Sequence, residues 1–186
     1  MEYYLKLPVS KDEIKKLHIG DVLYITGKIF TARDEAHHIM LEKKVDDIPF
    51  NPSGMALFHC GPLMKKKGNK WQTVSAGPTT SSRMEIFEDK FIEKFGTNII
   101  IGKGGMGERT QKALQKYICV YTSYTGGAGA LAADKVEEVL GVYWLEEFGM
   151  PEAAWIFKVK KFGPLVVAMD CHGNSIYKNL ENNKIR

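Results

Sequence analysis

Two short apolar runs, each closed by a glycine-rich turn that opens a helical pattern, constrain this chain more than any other feature. Asn98 to Ile101 reads as a strand buried on both faces. It is followed by Gly102-Lys-Gly-Gly-Met-Gly107 and a helix to about Tyr117. Ile118 to Thr122 repeats the plan, followed by Thr125-Gly-Gly-Ala-Gly-Ala130 and a pattern that reads as helix through Leu140. Short apolar strands joined by helices cross over right-handed, so the centre of the chain is expected to form a parallel sheet.

The flanks read differently. Tyr3 to Leu7 alternates like a strand, and Ser10-Lys-Asp-Glu13 is a capping box that opens a helix ending near Leu17. Val22 to Thr31 is a β-branched and aromatic run, with Gly27 placed for a bulge, and Arg33 to Lys44 reads as a helix. Met55 to Cys60 and Trp71 to Ser75 read as strands on either side of the turn Lys65-Lys-Lys-Gly-Asn-Lys70, whose lysines suit a solvated hairpin tip. Met84, Phe87, Phe91 and Phe95 follow helical spacing. Val142 to Lys161 and Leu165 to Tyr177 read as strands and a hairpin. The sum is an α/β protein with an antiparallel-rich start and a βαβα centre. No linker splits residues 1–186, so a single domain is expected.

Composition narrows the function classes. A formal charge of +4 over 186 residues is too mild for a nucleic-acid binder. No window approaches ~18 consecutive apolar residues, so no membrane span is expected. The opening MEYYLKLPVSKDEIKK lacks the apolar core of a secretory signal, so the cytoplasm is the expected location. Cys60, Cys119 and Cys171 lie far apart without a C-x-x-C pair, which argues against a disulfide framework and a compact zinc site. Only four of the 26 basic residues are Arg (Arg33, Arg83, Arg109, Arg186), so the positions of these planar, fork-shaped cations carry information.

Four junctions can carry chemistry. In Ala76-Gly-Pro-Thr-Thr-Ser-Ser-Arg83, one hydroxyl is explained as a helix cap. A guanidinium in the first turn is not, because the helix dipole already places positive charge there. Free N–H groups, hydroxyls and a guanidinium together suit an anion. Gly102, Gly104 and Gly107 match the dinucleotide fingerprint, but about 100 residues precede it and Val120 to Ala133 holds no acid for a ribose. What survives is a turn that brings backbone close to a ligand, with Lys103 at the strand's carboxyl end. The turn at 125–130 suits either a second anion-facing helix start or close helix packing. Phe30-Thr-Ala-Arg-Asp-Glu-Ala-His37 sets Arg33 at another strand-to-helix junction. His37 and His38 are adjacent and point to different faces, which excludes a metal pair at helical spacing. Arg33, Arg83, Lys103 and the Thr79 and Thr80 hydroxyls make a receptor for a small dianion but an incomplete enzyme. A stand-alone anion or nucleotide module is the rival reading.

These segments resemble the β subunit of the iron–sulfur hydro-lyases, class I fumarate hydratase and L-tartrate dehydratase. Thr31-Ala-Arg33-Asp-x-Ala-His37 is similar to the family's T-G-R-D-x-A-H, with Ala32 where Gly is usual. Gly77-Pro-Thr-Thr-Ser-x-Arg83-Met84 is similar to G-P-T-T-S-x-R-M, Ile101-Gly-Lys103-Gly-Gly-Met106 to I-G-K-G-x-M, and Pro151-Glu-Ala-Ala-Trp155 to P-E-A-x-W. The resemblance implies a three-layer swivelling β/β/α domain with a partly parallel sheet. It implies substrate binding by Arg33, Thr79, Thr80, Arg83 and Lys103, with Thr79 and Lys103 catalytic. It also implies an α subunit that holds a [4Fe–4S] cluster on three Cys, an α2β2-type assembly, a fumarate/malate or tartrate substrate, and no metal on this chain.

Overall fold

The computed structural model describes residues 1–125 and 127–178. The opening strand β1 (Glu2–Lys6) leads through the expected capping box, with Ser10 and Glu13 exchanging hydrogen bonds, into α1 (Lys11–Ile14). Strand β2 (Val22–Thr31) lies parallel to β1, and its register against its antiparallel partner, residues 154–169, shifts between Ile25 and Gly27, the expected bulge. Helix α2 (Asp34–Glu42) starts directly after Arg33. Strand β3 (Ala56–Phe58) precedes a two-stranded antiparallel hairpin, β4 (Leu63–Lys67) and β5 (Lys70–Ser75). Lys65 to Lys67 therefore belong to a strand, and the turn is only Gly68–Asn69. Consecutive lysines fit a strand that is solvated on both faces as readily as they fill a tip.

The βαβα centre forms as expected. Helix α3 (Glu85–Phe95) leads to β6 (Ile99–Gly102), α4 (Glu108–Tyr117) and β7 (Val120–Ser123). Strands β1, β2, β3, β6 and β7 run parallel in that order. The second glycine-rich turn opens only a short helix, α5 (Gly129–Asp134). From Val136 the chain is strand β8 (Val136–Tyr143), not helix. The glutamates there favour helix, but Val136, Val139 and Val142 lie antiparallel to a long strand, and that pairing wins over local propensity. After α6 (Leu145–Phe148) that partner, β9 (Ala154–Met169), runs as one 16-residue strand where two strands and a hairpin were expected. Strand β9 pairs antiparallel with β7, β8 and β2. The pairings β2–β3, β3–β6, β6–β7, β7–β9 and β9–β2 thus close on themselves.

Alternation along the parallel strands feeds two cores. Phe58, Ile99, Ile101 and Val120 pack with Phe157, Val159 and Phe162 of β9. The intervening residues Leu57, Ile100 and Tyr121 pack with Met40, Phe91 and Leu114 of the helices. The strands are therefore apolar throughout because both of their faces are covered. The fold is mixed α/β with parallel and antiparallel pairing in one seven-stranded sheet. Among the described residues no helix is long and apolar enough to cross a membrane.

Ile100 is fully buried at the centre of the helix-facing core. Ile100→Ala should cost ~2–5 kcal/mol, read as a lower urea midpoint at unchanged m. A loss below ~1 kcal/mol would contradict this packing.

Candidate active site

Four strands deliver their carboxyl ends to one edge of the sheet, where the chain continues hydrogen bonding past the strands. Ala32 N–H donates to Phe58 O (3.1 Å), His59 N–H to Ile101 O (2.8 Å) and Tyr124 N–H to Gly102 O (2.8 Å). The segment after β5 docks on this edge. Thr79 N–H donates to His59 O (2.8 Å), Ser81 N–H to Lys103 O (3.0 Å), and Thr80 bridges Lys103 in parallel register. Arg33 follows β2, Lys103 follows β6, and Arg83 reaches across to Asp34 at the start of α2. The structure therefore brings Arg33, Thr79, Thr80, Arg83 and Lys103 to one edge, although 70 residues separate the first from the last in sequence.

The capping explanation for the hydroxyls does not hold. Ser81–Met84 is a 3-10 turn, the Thr80 side chain makes no cap bond, and α3 begins at Glu85 behind Met84. Thr80 and Lys103 are exposed and Thr79 is half-buried. Each guanidinium meets an acid that sequence reasoning did not attach to it. Arg33 Nε lies 3.1 Å from Glu152 Oε1, and Arg83 pairs with Asp34. The second Glu152 oxygen accepts from Glu35 N–H at 3.2 Å, which ties the Pro151–Trp155 segment to the start of α2.

Beneath the edge lies a fully buried polar chain. Glu88 Oε2 is 3.0 Å from His59 Nε2 and 3.4 Å from His37 Nε2. His37 Nδ1 donates to Arg33 O at 2.7 Å. His59 Nδ1 lies 2.9 Å from Ser81 Oγ, which accepts from Lys103 N–H at 3.1 Å. Burial pushes the His59 imidazole down, past the opposing pull of Glu88. Burial works against an ionised Glu88, yet the imidazoles on it, His59 foremost, hold it at about 2. The consistent arrangement has a Glu88 carboxylate accepting from His59 Nε2–H, with His59 Nδ1 accepting the Ser81 hydroxyl proton. Three donor atoms from His37, His59 and Glu88 lie within 4.8 Å of one another. Sequence reading set His37 and His38 on different faces of the helix without saying which of them is packed. His37 is buried, while His38 is exposed beside Glu42. It counted Ser81 only among the hydroxyls of the anion-facing turn and missed its link to His59 and Glu88, which share no local pattern.

The glycine-rich turns serve the protein's own groups. The Glu85 carboxylate fills the N-terminus of α4, accepting from Gly107 N–H (2.7 Å), Arg109 N–H (3.0 Å), Thr110 N–H (3.2 Å) and Thr110 Oγ1–H (2.6 Å). A Cβ at Gly107 would stand 2.6 Å from that carboxylate, and one at Gly102 would stand 1.8 Å from Ser81 Oγ. The N–H groups that cradle a pyrophosphate in a dinucleotide fold are occupied here. In the second turn Gly129 O accepts from Ala76 N–H at 2.9 Å. That contact is close packing of α5 against the Thr79 segment; Gly126 lies outside the described residues.

Residues 2–180 match the family model described as Fumarase C-terminus. The chain belongs to the fumarase C-terminus family. It is 44% identical over 185 residues to the L(+)-tartrate dehydratase subunit beta of Escherichia coli (strain K12), covering 100% of this chain and 90% of that one. It is 46% identical to a putative L(+)-tartrate dehydratase subunit beta of Methanocaldococcus jannaschii, covering 100% and 95%. A putative fumarate hydratase class I of Geobacillus stearothermophilus is 42% identical over 97% of this chain and 34% of its own length.

An iron–sulfur cluster needs converging thiolates. Cys60 sits in the β9-facing core of this fumarase C-terminus chain and Cys119 in the helix-facing core, on opposite faces of the sheet. Burial raises Cys60 and Cys171 and pushes Cys119 up to about 11, away from the thiolate form. These thiols do not fit a cluster.

The Arg83–Asp34 pair yields a pH test. Burial alone would raise the Asp34 carboxyl, but the Arg83 hydrogen bond, and then the Arg83 and Arg33 charges, hold it below its ordinary 3.8. A depressed carboxyl stabilises the fold above its unfolded value and loses that contribution as pH falls through the folded one. The stability advantage of the native chain over Asp34→Asn should be complete at pH 7, within the ~0.2–1 kcal/mol of an exposed pair. It should begin to fall near pH 3.8 and vanish only once the pH is below the folded value, read in urea melts. An advantage that grows on acidification would refute the pairing.

Proposed function

We propose that this chain is the β subunit of an iron–sulfur hydro-lyase that reversibly hydrates fumarate to L-malate, active with an α subunit. The observation that carries this reading is the convergence of Arg33, Thr79, Thr80, Arg83 and Lys103 on one sheet edge, held by backbone bonds between their turns. In this reading residues 1–186 form one three-layer swivelling β/β/α domain, in a cytoplasmic α2β2-type enzyme. The [4Fe–4S] cluster is assigned to the α subunit, in keeping with the scattered thiols of this chain.

The chemistry suits the residues. Removing a proton from the carbon beside a carboxylate loads negative charge onto that carboxylate. Fixed cations there stabilise the transition state more than the ground state. Arg33 and Arg83 supply planar forks that set the dicarboxylate in register, and Lys103 supplies a point charge from the end of β6. Asp34 and Glu152 hold the two guanidinia extended until a substrate carboxylate competes for them. The Thr79 hydroxyl moves the proton. A Thr hydroxyl is a weak base, so it needs a carboxylate from the α subunit to activate it. Thr80 is assigned a hydrogen bond to the substrate.

A second reading, L(+)-tartrate dehydration, is favoured by the names of the relatives in Escherichia coli and Methanocaldococcus jannaschii. The same dianion receptor serves both substrates. The rival nucleotide module is disfavoured, since Glu85 occupies the helix start it would use.

Reconstitution with a cluster-binding α subunit, assayed on fumarate, L-malate and L(+)-tartrate, tests the reading. The pair should turn over and the isolated chain should not. Arg83→Ala should lower kcat/KM of the pair by at least ~10²–10³-fold. Hydration by the isolated chain, or an unimpaired Arg83→Ala pair, would overturn it. The preferred substrate decides between fumarate and tartrate.

A further inference from the structure

We propose that Glu88 is a positioning residue: through His37 and His59, one buried carboxylate oxygen sets the register of the turns that carry Arg33, Thr79 to Arg83 and Lys103. The inference rests on the proposed function for the meaning of those turns. Its geometry stands without it.

Glu88, His37, His59 and Ser81 are all fully buried. Burying polar groups costs free energy unless each finds a partner, and an apolar set of similar volume would pack under this edge without that cost. The outward ends of the network reach the site turns. His37 donates to the carbonyl of Arg33 itself (2.7 Å). His59 meets Ser81 Oγ (2.9 Å), which accepts from the backbone N–H of Lys103 (3.1 Å). The main chain of His59 also accepts Thr79 N–H (2.8 Å) and donates to Ile101 O (2.8 Å). Both imidazoles meet the same Glu88 oxygen, His59 through a hydrogen bond and His37 through a 3.4 Å contact, and α3 presents that oxygen from beneath the sheet edge. Helix α2, β3, the 3-10 turn, α3 and the end of β6 are thereby referred to one atom. A loosening at Glu88 displaces several ligand-facing groups together, and misplacement on the order of 1 Å is costly at a site that binds by register.

The test separates positioning from filling of space. Glu88→Leu keeps roughly the volume and removes the acceptor, whereas Glu88→Gln keeps an oxygen able to accept the His59 Nε2–H. In the reconstituted enzyme, Glu88→Leu should lower kcat/KM at least tenfold, mainly through KM, with Glu88→Gln recovering most of the loss. Ser81→Ala, which cuts only the branch to Lys103, should raise KM. In the full chain without its partner, amide exchange at Lys103 should quicken at least tenfold in Glu88→Leu and Ser81→Ala, while β7 amides keep their protection. Wild-type kcat/KM in Glu88→Leu, wild-type KM in Ser81→Ala, or unchanged Lys103 exchange would overturn the proposal. So would a stoichiometric transition metal on the purified chain that Glu88→Leu loses, since the same donors would then form a metal site. A wild-type pair that turns over no dicarboxylate refutes the proposed function instead, and the exchange measurement still decides the role of Glu88.

Discussion

Parallel pairing of β2, β3, β6 and β7 is the constraint on which the rest depends. Parallel strands end on the same side, so four separate chain exits are forced onto one edge. Antiparallel pairing of the same segments would alternate the exits and send His59, which follows β3, to the end of the sheet opposite Arg33 and Lys103. Strand β9 makes the parallel set stable at both margins, since it pairs with β7 on one side and β2 on the other. The docked Thr79–Arg83 segment then needs only a few backbone bonds to join the edge.

Electrostatics at that edge depends on pairing more than on net charge. Arg33 meets Glu152 and Arg83 meets Asp34, while Arg109 meets Asp89 in a bidentate pair at 2.8–3.2 Å. The Arg109 pair joins α4 to α3 on the helical face, away from the strand ends, and needs no ligand to explain it. Scarcity of Arg therefore marks positions where fork geometry is used, and the surroundings decide whether the use is structural. For Arg33 and Arg83 the acids are only partly buried and sit at a chain-exit edge. In the proposed function a substrate carboxylate competes for the two guanidinia there.

Much of this was legible because it is local. The capping box at Ser10, the bulge at Gly27, the both-face apolar strands and the strand-to-helix junctions each announce themselves within a few residues. The misreadings fell where distant pairing overrides local preference. Glu137 and Glu138 looked helical, yet β9 recruits them as strand. The Thr hydroxyls looked like caps, yet the turn they precede is 3-10 and takes no cap from them. The His37–Glu88–His59 chain was illegible for the same reason. Its members are 51 and 29 residues from Glu88, and no spacing rule connects them.

The most informative disagreement is at Gly102–Gly107. A glycine-rich turn between strand and helix has the form of a phosphate site, and physics alone would let it bind one. The protein instead spends that helix start on its own Glu85, which takes three backbone N–H groups and a hydroxyl. Once those donors are committed, the positive end of α4 has little left for an external anion. In the proposed function, selectivity follows from what remains. An anion at this edge must be held by side-chain cations and hydroxyls spaced across several turns, not by one concentrated backbone cradle. Such a spread of Arg33, Arg83 and Lys103 suits two carboxylates a few bonds apart better than a single compact phosphate. The glycines were read correctly as sites of close approach, but the groups that approach them belong to the chain itself.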